Sequence, residues 1–367
     1  MNQTTTKFSR TILLFFFLYC FFLSLDLIGL SFKLFGKEFA QTLIETTTNP
    51  FVGLLIGILA TTLVQSSSTS TSMTVGLVAA DALTIEGAIP IIMGANIGTT
   101  VTNTLVSLAH VTRPEEFRRA FSGATVHDFF NWLAVIILLP LEIQTGYLAK
   151  SARYLEGLVE GVGGIQLLNP VKEIVRPVAI ELSSLLGESG TIILLAGIAF
   201  LFLSLRYMVK LLGILLSSKA EEVLHQTLFR SPVATVSAGI AITVMVQSSS
   251  ITTSVMVPLM GAGIVTLEQA FPFVIGANIG TTVTAMLAAL VLGNAAAVSV
   301  AFAHLIFNLT GSVIIYGIPP IRAIPLAMAR WMGNVAARNR ALAIFYVVLA
   351  FLGLPCLFLF LLGGLGQ

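Results

Sequence analysis

Charged side chains are scarce in this sequence. Asp, Glu, Lys and Arg make up 10% of its 367 residues, whereas soluble domains contain about a quarter. With 56% hydrophobic residues, the folded surface would not stay dissolved in water, which excludes a soluble globular protein. The net charge of +2 gives no indication of a nucleic-acid partner. Two cysteines, Cys20 and Cys356, both lie in apolar runs, so a disulfide framework is excluded as well.

Long apolar runs take the place of the missing charge. Runs of about 20 apolar residues are typical of membrane-spanning helices, and four are present, at residues 11–32, 191–216, 295–317 and 341–364. Between these runs lie shorter apolar blocks broken by Gly, Pro and Ser, as at residues 51–64 and 233–246. Lipid tolerates irregular backbone only where protein or a wet cavity surrounds it. The sequence therefore predicts an all-α polytopic membrane protein with about eight to ten membrane elements, some re-entrant or broken.

An internal repeat organises the chain. Residues 65–105 align without a gap to residues 247–287, and 23 of these 41 positions are identical at an offset of 182. Both copies contain Gln-Ser-Ser-Ser and Gly-Ala-Asn-Ile-Gly-Thr-Thr-Val-Thr. A third element, with His127 and Asn131, recurs as His304 and Asn308 at an offset of 177. Apolar composition alone does not place polar blocks in register, so we interpret the pattern as a duplication.

The repeat divides the chain into five parts. We predict an N-terminal span with an interfacial segment at 1–50, repeat 1 at 51–143, a central connection at 144–232, repeat 2 at 233–318, and a C-terminal connection with a final span at 319–367. The central connection is predicted to hold one span and amphipathic segments. Duplicated membrane halves with matching polar breaks are typical of alternating-access transporters.

The Gly-Ala-Asn-Ile-Gly-Thr-Thr segments are predicted to be helix breaks. Glycine lets a chain unwind without side-chain strain, and a broken helix exposes carbonyl and N–H groups that bind ions. Hydroxyl and amide oxygens beside the breaks are hard donors, suited to sodium or another hard cation. The glycines are Gly94, Gly98, Gly276 and Gly280, and the predicted cation ligands are Asn96, Thr99, Thr100, Asn278, Thr281 and Thr282.

The Gln-Ser-Ser-Ser blocks begin two hydroxyl-rich runs. Ser66 to Ser72 are seven hydroxyl residues in succession, and in the run Ser248 to Ser254 only Ile251 lacks a hydroxyl. No Lys or Arg occurs in residues 51–110 or 233–292, so a bound anion would need co-bound cations and helix dipoles to balance its charge. Such mutual dependence is the thermodynamic basis of symport. Close helix packing is the alternative role for serines in membranes, but two runs in register favour a ligand site.

Asp128 is an acidic residue inside an apolar run, which is costly and indicates a function. Its counterpart in the second half is Leu305. We predict that Asp128 binds a cation; the alternative is an ion pair with Arg118 or Arg119 at the membrane interface.

Two pairs of polar residues accompany Asp128 in the repeated third element. Asn131 and Asn308 are predicted to supply amide oxygens to cations. His127 and His304 are predicted to be neutral packing residues.

Together these motifs resemble the type II sodium–phosphate cotransporter family. The resemblance rests on the paired Gln-Ser-Ser-Ser blocks, the paired Gly-Ala-Asn-Ile-Gly-Thr segments and the sequence His-Asp-Phe-Phe-Asn-Trp from His127. It implies sodium-driven uptake of inorganic phosphate through two inverted structural repeats, with re-entrant hairpins that carry the site. It also implies that Asp128 is a sodium ligand of an electrogenic transporter, with Asn131 beside it. The phosphate-binding residues implied are Gln65, Ser66, Ser67, Ser68, Gln247, Ser248, Ser249 and Ser250.

The short central connection and brief termini resemble a bacterial member, which would be located in the cytoplasmic membrane. Its expected partners are phosphate, co-transported sodium and membrane lipid, with no organic cofactor.

Three rival functions remain open at the level of sequence. Hydroxyls and dipoles hold other oxyanions or dicarboxylates as readily as phosphate. An intramembrane hydrolase would pair a serine with His127 or His304, but no Gly-x-Ser-x-Gly motif surrounds the serines. A pore-forming channel is the third alternative.

Overall fold

The computed structural model describes residues 3–161, 169–227 and 231–364. All regular elements in these segments are helices, which confirms the predicted all-α class. The helices are α1 (Gln3–Thr47), α2 (Pro50–Val64), α3 (Ser67–Ala79), α4 (Ile85–Thr99), α5 (Val101–Ser107), α6 (Pro114–Thr145), α7 (Tyr147–Gly161), α8 (Asn169–Leu185), α9 (Gly190–Thr227), α10 (Pro232–Val246), α11 (Ser249–Ser254), α12 (Met256–Gly261), α13 (Leu267–Leu292), α14 (Ala295–Gly317), α15 (Pro319–Arg338), α16 (Arg340–Val348) and α17 (Leu354–Gly364). A 3-10 turn, Leu108–His110, follows α5, and a π turn, Leu349–Gly353, joins α16 to α17.

Seven stretches of the described chain are long and apolar enough to cross a membrane, or up to eight if a bent pair counts as one span. Each of the four long apolar runs predicted from the sequence overlaps one of these spans, and the runs 11–32 and 295–317 lie entirely within theirs. The chain is therefore a multi-pass membrane protein. The spans are Ser9–Gly36, Ile85–His110, Pro114–Thr145, Gly190–Tyr207, Leu267–Leu292, Ala295–Gly317 and Arg340–Leu362.

The short helices α2 and α10 open the two halves in the same way. Each has 15 residues and is about 22 Å long at 1.5 Å per residue, less than the hydrocarbon core of a bilayer. Each begins with a proline at its first position, preceded by a side chain that caps the helix, Asn49 for α2 and Ser231 for α10. Proline at the first turn removes no helical hydrogen bond. Local sequence thus fixes where both helices begin.

Glycine contacts pack α2 against α4, and α10 against α13. A Cβ on Gly57 would overlap the carbonyl oxygen of Ile91, and one on Gly94 would overlap that of Leu54. The second half has the same arrangement, Gly239 on the Phe273 carbonyl and Gly276 on the Val236 carbonyl. Since only glycine fits at these crossings, the two backbones lie in direct contact.

This packing contradicts the predicted breaks at the Gly-Ala-Asn-Ile-Gly-Thr-Thr segments. In the second half, α13 runs as one helix from Leu267 to Leu292. In the first, α4 continues to Thr99, and a single residue, Thr100, separates it from α5. The glycines serve a close helix contact instead of an unwound backbone. The prediction of a break there is wrong because glycine permits both structures, and sequence spacing does not distinguish them.

Two amphipathic helices tie the halves together. Helix α7 follows the first half but packs on α14, and α15 follows the second half but packs on α6. Each carries an arginine that pairs with a glutamate in the first turn of α4 or α13, Arg153 with Glu86 and Arg330 with Glu268. The two pairs correspond across the repeat.

Candidate substrate site

The helical conformation is interrupted at the two Gln-Ser-Ser-Ser blocks. Gln65 and Gln247 end α2 and α10 in the left-handed region, with φ of 54° and 56°. Ser66 and Ser248 follow in an extended conformation, with φ of −149° and −152°. Their hydroxyl oxygens accept backbone N–H groups of Thr69 at 3.2 Å and Ile251 at 3.3 Å, which starts α3 and α11. Serine is a favoured residue at such caps, so the motif itself builds the break.

Residues at both breaks line one cavity of about 480 Å³, which we call the serine cavity. Ser68 donates a hydrogen bond of 3.4 Å to the backbone carbonyl of Gln247, which joins the two blocks directly. Six of the eight predicted phosphate ligands line the cavity, and Ser67 and Ser249 are buried outside its lining. The lining residues are Gln65, Ser66, Ser68, Thr69, Thr102, Phe202, Leu205, Arg206, Gln247, Ser248, Ser250 and Ile251. The twin hydroxyl runs therefore face each other across a space.

The two glutamines of the cavity are held differently. Gln247 donates to the Val244 carbonyl at 2.6 Å and accepts from the Thr284 hydroxyl at 2.8 Å. Thr102, the counterpart of Thr284, has a buried hydroxyl without a partner in the described structure, while Gln65 is exposed to the cavity. The first half thus presents an amide and a hydroxyl that are available to a ligand.

Sequence reasoning missed Arg206, which lines the cavity from α9. The repeats contain no Lys or Arg near the serine blocks, so we expected an anion site without a fixed positive side chain. Arg206 lies in the central connection, outside both repeats, and no motif marks it. Only the packing of α9 against α10 and α1 brings it to the site.

A hydrogen-bonded set of asparagines and histidines lies at the centre of the molecule. The Asn96 side chain accepts from His304 Nε2 at 3.2 Å and donates to the Asn308 oxygen at 3.0 Å. In the other half, the Asn278 side chain accepts from His127 Nε2 at 2.9 Å and donates to the Asn131 oxygen at 2.7 Å. Asn96 of repeat 1 is thus held by His304 and Asn308 of repeat 2, and Asn278 of repeat 2 is held by His127 and Asn131 of repeat 1. We call these six residues the clamp. All six side chains are at most 3% exposed.

This clamp bears on four of the predicted sodium ligands. The side-chain oxygens of Asn96, Asn131, Asn278 and Asn308 already accept hydrogen bonds, so a cation would have to share their second lone pair. Their role as sodium ligands stays a prediction. Both histidines are held in the clamp through Nε2, which agrees with the packing interpretation of His127 and His304.

The clamp extends further on one side. The Thr253 hydroxyl donates to the Asn103 oxygen at 3.0 Å, and the Asn103 amide lies 3.4 Å from His127 Nδ1. A hydrogen-bonded chain therefore runs from the helix behind the second serine block to the centre. The counterpart of Asn103 is Ala285, and His304 Nδ1 has no partner in the described structure.

Asp128 is fully buried on α6, with one partner on its carboxylate. Tyr346 of α16 donates to Oδ2 at 3.0 Å, while Oδ1 is buried and has no hydrogen-bond partner in the described part of the chain. Thr100 lies beside the same carboxyl group. The alternative of an ion pair with a neighbouring arginine is wrong, because Arg118 pairs with Glu115 and Arg119 donates to the Gly261 carbonyl.

The four predicted threonine ligands are all buried next to the clamp. Thr100, Thr281 and Thr282 donate to backbone carbonyls of their own helices, at 2.7, 3.1 and 2.7 Å. The hydroxyl of Thr99 has no partner in the described structure. A hydroxyl that donates to a carbonyl keeps its oxygen lone pairs for a cation. None of the nine predicted sodium ligands lines the serine cavity.

These features define a duplicated polar site inside a multi-pass helical membrane protein. The chain matches the model of the Na+/Pi-cotransporter family over residues 17–162 and 200–358. It belongs to that family. No solved structure matches it.

Curated relatives support the assignment. The chain is 35% identical to sodium-dependent phosphate transport protein 2B of Homo sapiens, over 94% of the chain and 64% of the relative. It is also 35% identical to sodium-dependent phosphate transport protein 2A of Rattus norvegicus, over 97% of the chain and 68% of the relative. With protein 2A of Ovis aries the identity is 36%, over 92% and 65%. The chain spans about two thirds of the length of these relatives.

Proposed function

We propose that this chain is a symporter that uses a sodium gradient to take up inorganic phosphate across the cytoplasmic membrane. The observation that carries the proposal is the shared cavity: two breaks of the same sequence, in two halves of the chain, line one space. The names of the relatives, sodium-dependent phosphate transport proteins, supply the substrate and the ion.

Phosphate is assigned to the two serine blocks. Short hydroxyl side chains and the break at each glutamine offer donors without charge, and Ser68 with the Gln247 carbonyl brings the two blocks within 3.4 Å. Because phosphate accepts hydrogen bonds on all its oxygens, donors from both blocks satisfy it on opposite sides. The assignment covers the eight residues predicted from the sequence, with Thr69 and Thr102 added from the cavity lining.

Sodium is assigned first to Asp128. Its Oδ1 is buried and has no hydrogen-bond partner in the described structure, which is costly for a carboxylate unless a cation or a proton compensates its charge. Thr99 and Thr100 of the neighbouring helix end supply hydroxyl oxygens, and Asn131 lies one turn along α6. Coupling requires that the ion and the phosphate favour the same conformation of the protein, so that each ligand raises the affinity for the other. The equivalent threonines of the second half, Thr281 and Thr282, are assigned to a further ion.

Alternating access is proposed to arise from movement of the two halves as inverted repeats. The asparagine–histidine clamp connects the repeats at their centre, whereas the paired amphipathic helices α7 and α15 lie at their ends. Rocking about a hydrogen-bonded centre would open one end and close the other. The five-part division of the chain predicted from the sequence is retained in this proposal.

The test is uptake of radiolabelled phosphate by proteoliposomes that contain the purified chain. We expect concentrative, saturable uptake with sodium outside and none when choline replaces sodium. Uptake that does not depend on sodium would overturn the coupling, and flux that never exceeds equilibrium would indicate a channel. Competition by sulfate or a dicarboxylate that equals competition by arsenate would transfer the assignment to a broader anion class.

The hydrolase rival has no support in the site geometry. Both histidines are bound to asparagines through Nε2, and the second nitrogen of His127 faces Asn103. In the described structure, neither ring is hydrogen-bonded to a serine. A serine nucleophile needs such a base within hydrogen-bond distance.

A further inference from the structure

The serine cavity contains one charged side chain among its described lining residues, that of Arg206. Every other described lining residue is a neutral polar or apolar group. Arg206 has no ion-pair partner among the described side chains. A guanidinium group without an acidic partner, at the edge of a cavity rich in hydroxyls, is a ready receptor for an anion.

The position of Arg206 is fixed by the packing of α9 on α1. Tyr207, the next residue, stacks on Phe17 of α1 with ring centroids 4.8 Å apart. On the other side of Arg206 in the sequence, Leu205 is buried and lines the cavity, and one turn earlier Leu201 is fully buried. The helix is therefore held in one rotational setting, in which residues 202, 205 and 206 border the cavity.

We propose that Arg206 binds the phosphate in the serine cavity through its guanidinium group. The proposal deepens the proposed function and rests on it. Serine hydroxyls supply hydrogen bonds but no charge, and a dianion leaving water loses solvation that neutral donors replace only in part. The planar guanidinium donates two parallel hydrogen bonds to two oxygens of one phosphate and brings a permanent positive charge.

The single arginine also breaks the equivalence of the two serine blocks. Arg206 comes from the central connection, which is not duplicated, and no second arginine is among the described residues that line the cavity. Phosphate is therefore held from one side by charge and from the other by hydroxyl groups. The alternative role for an arginine near the end of a span is to reach an anionic lipid headgroup, and the experiment separates these two sources of phosphate.

The test compares Arg206→Gln, Arg206→Lys and the control Arg340→Gln, which removes an exposed charge outside the cavity lining. In Arg206→Gln we expect the phosphate concentration for half-maximal uptake to rise by about tenfold or more, the loss expected for a charge-assisted hydrogen bond. Arg206→Lys should recover part of this loss, and Arg340→Gln should match the wild type. An unchanged half-saturation in Arg206→Gln would overturn the proposal. So would a loss that Lys does not relieve at all.

Two further measurements exclude a purely structural effect. Raising the ionic strength with choline chloride should weaken phosphate binding in the wild type and less so in Arg206→Gln, because salt screens the arginine charge. The whole series is repeated in vesicles of neutral phosphatidylcholine. A defect that persists there supports phosphate binding, and one that appears only with anionic lipid overturns it in favour of a headgroup contact. Absence of sodium-dependent uptake in the wild type would contradict the proposed function itself.

Discussion

The two halves of this protein share a scaffold but not a set of polar groups. Both have the same glycine crossings, the same left-handed glutamine before a serine cap, and the same asparagine clamped by a histidine and an asparagine. Where they differ, the first half is the more polar: Asn103 and Asp128 stand opposite Ala285 and Leu305. The features that both halves share hold the helices together. The coupling ion is assigned to the polar residues that occur only in the first half.

The serine helices differ in length as well. Helix α3 runs for 13 residues without interruption, whereas the corresponding segment is divided at Val255 into α11 and α12, with Pro258 in the second. Proline removes a helical donor and clashes with the preceding turn. The second block is thus attached to a shorter helix, and the Thr253–Asn103 contact ties that helix to the first half. The difference indicates that the two sides of the cavity have different mechanical support.

The largest expected effect tests the shared scaffold. Gly94→Ala and Gly276→Ala should each lower the free energy of unfolding by more than about 3 kcal/mol, because the new methyl group overlaps a backbone carbonyl that has no room to move. The control is Gly157→Ala on α7, where nothing lies within 4 Å and alanine favours the helix. Denaturation in detergent, followed by circular dichroism, measures both. Two tolerated alanines would mean that α4 and α13 do not cross their partners in backbone contact.

The second prediction concerns Asp128, which has no polar counterpart in the second half. Asp128→Gly should abolish or strongly reduce the charge moved per phosphate while some transport remains, because the anionic oxygen assigned to sodium is lost. Electrophysiology on planar membranes or oocytes, with tracer uptake in parallel, gives the ratio.

The matched control for Asp128→Gly is Asp81→Gly. Asp81 is exposed and has φ of 59°, and its counterpart is Gly263 with φ of 76°, so the change removes strain and leaves the site intact. Unchanged charge movement per phosphate in Asp128→Gly would remove Asp128 from the sodium role.

A smaller effect is expected when the clamp is made symmetrical. Asn103→Ala copies Ala285 and leaves His127 Nδ1 without its neighbour, as His304 Nδ1 already is. The cost should be about 1–3 kcal/mol of unfolding free energy, the typical loss when a buried polar partner is removed. A double-mutant cycle with Thr253→Val measures the coupling across the two halves. A coupling energy of zero would show that the 3.0 Å contact contributes nothing to stability.

The sequence alone was sufficient to predict the main membrane spans and most of the residues that line the cavity. The four apolar runs became spans, and six of the eight serine-block residues line the shared space. Repetition carried this success, because two polar motifs in register are informative even when each alone is ambiguous. The structural role of the glycines could not be predicted in the same way. Gly94 and Gly276 suit an unwound chain and a close crossing equally, and only the facing carbonyls of Leu54 and Val236 decide between them.

Long-range contacts account for what the sequence did not show. The clamp joins Asn96 to His304, 208 positions away, and nothing in the local pattern indicates that each asparagine meets the histidine of the other copy. Arg206 lies in a connection with no motif, and Tyr346 reaches Asp128 over 218 positions. Such partners depend on how helices pack, which a single sequence does not specify.

The smallest expected effect concerns the ion pairs that the halves share. Glu86–Arg153 and Glu268–Arg330 join side chains that are 48 to 58% exposed, and exposed pairs contribute about 0–1 kcal/mol. Changing each partner to Gln, singly and together, should give coupling energies that are below about 1 kcal/mol and similar in both halves, and that shrink with added salt. Thermal unfolding in detergent at two salt concentrations measures them. A coupling well above that value in one half alone would mean that α7 and α15 are not equivalent supports, and that the asymmetry of the two repeats reaches the ends of the molecule.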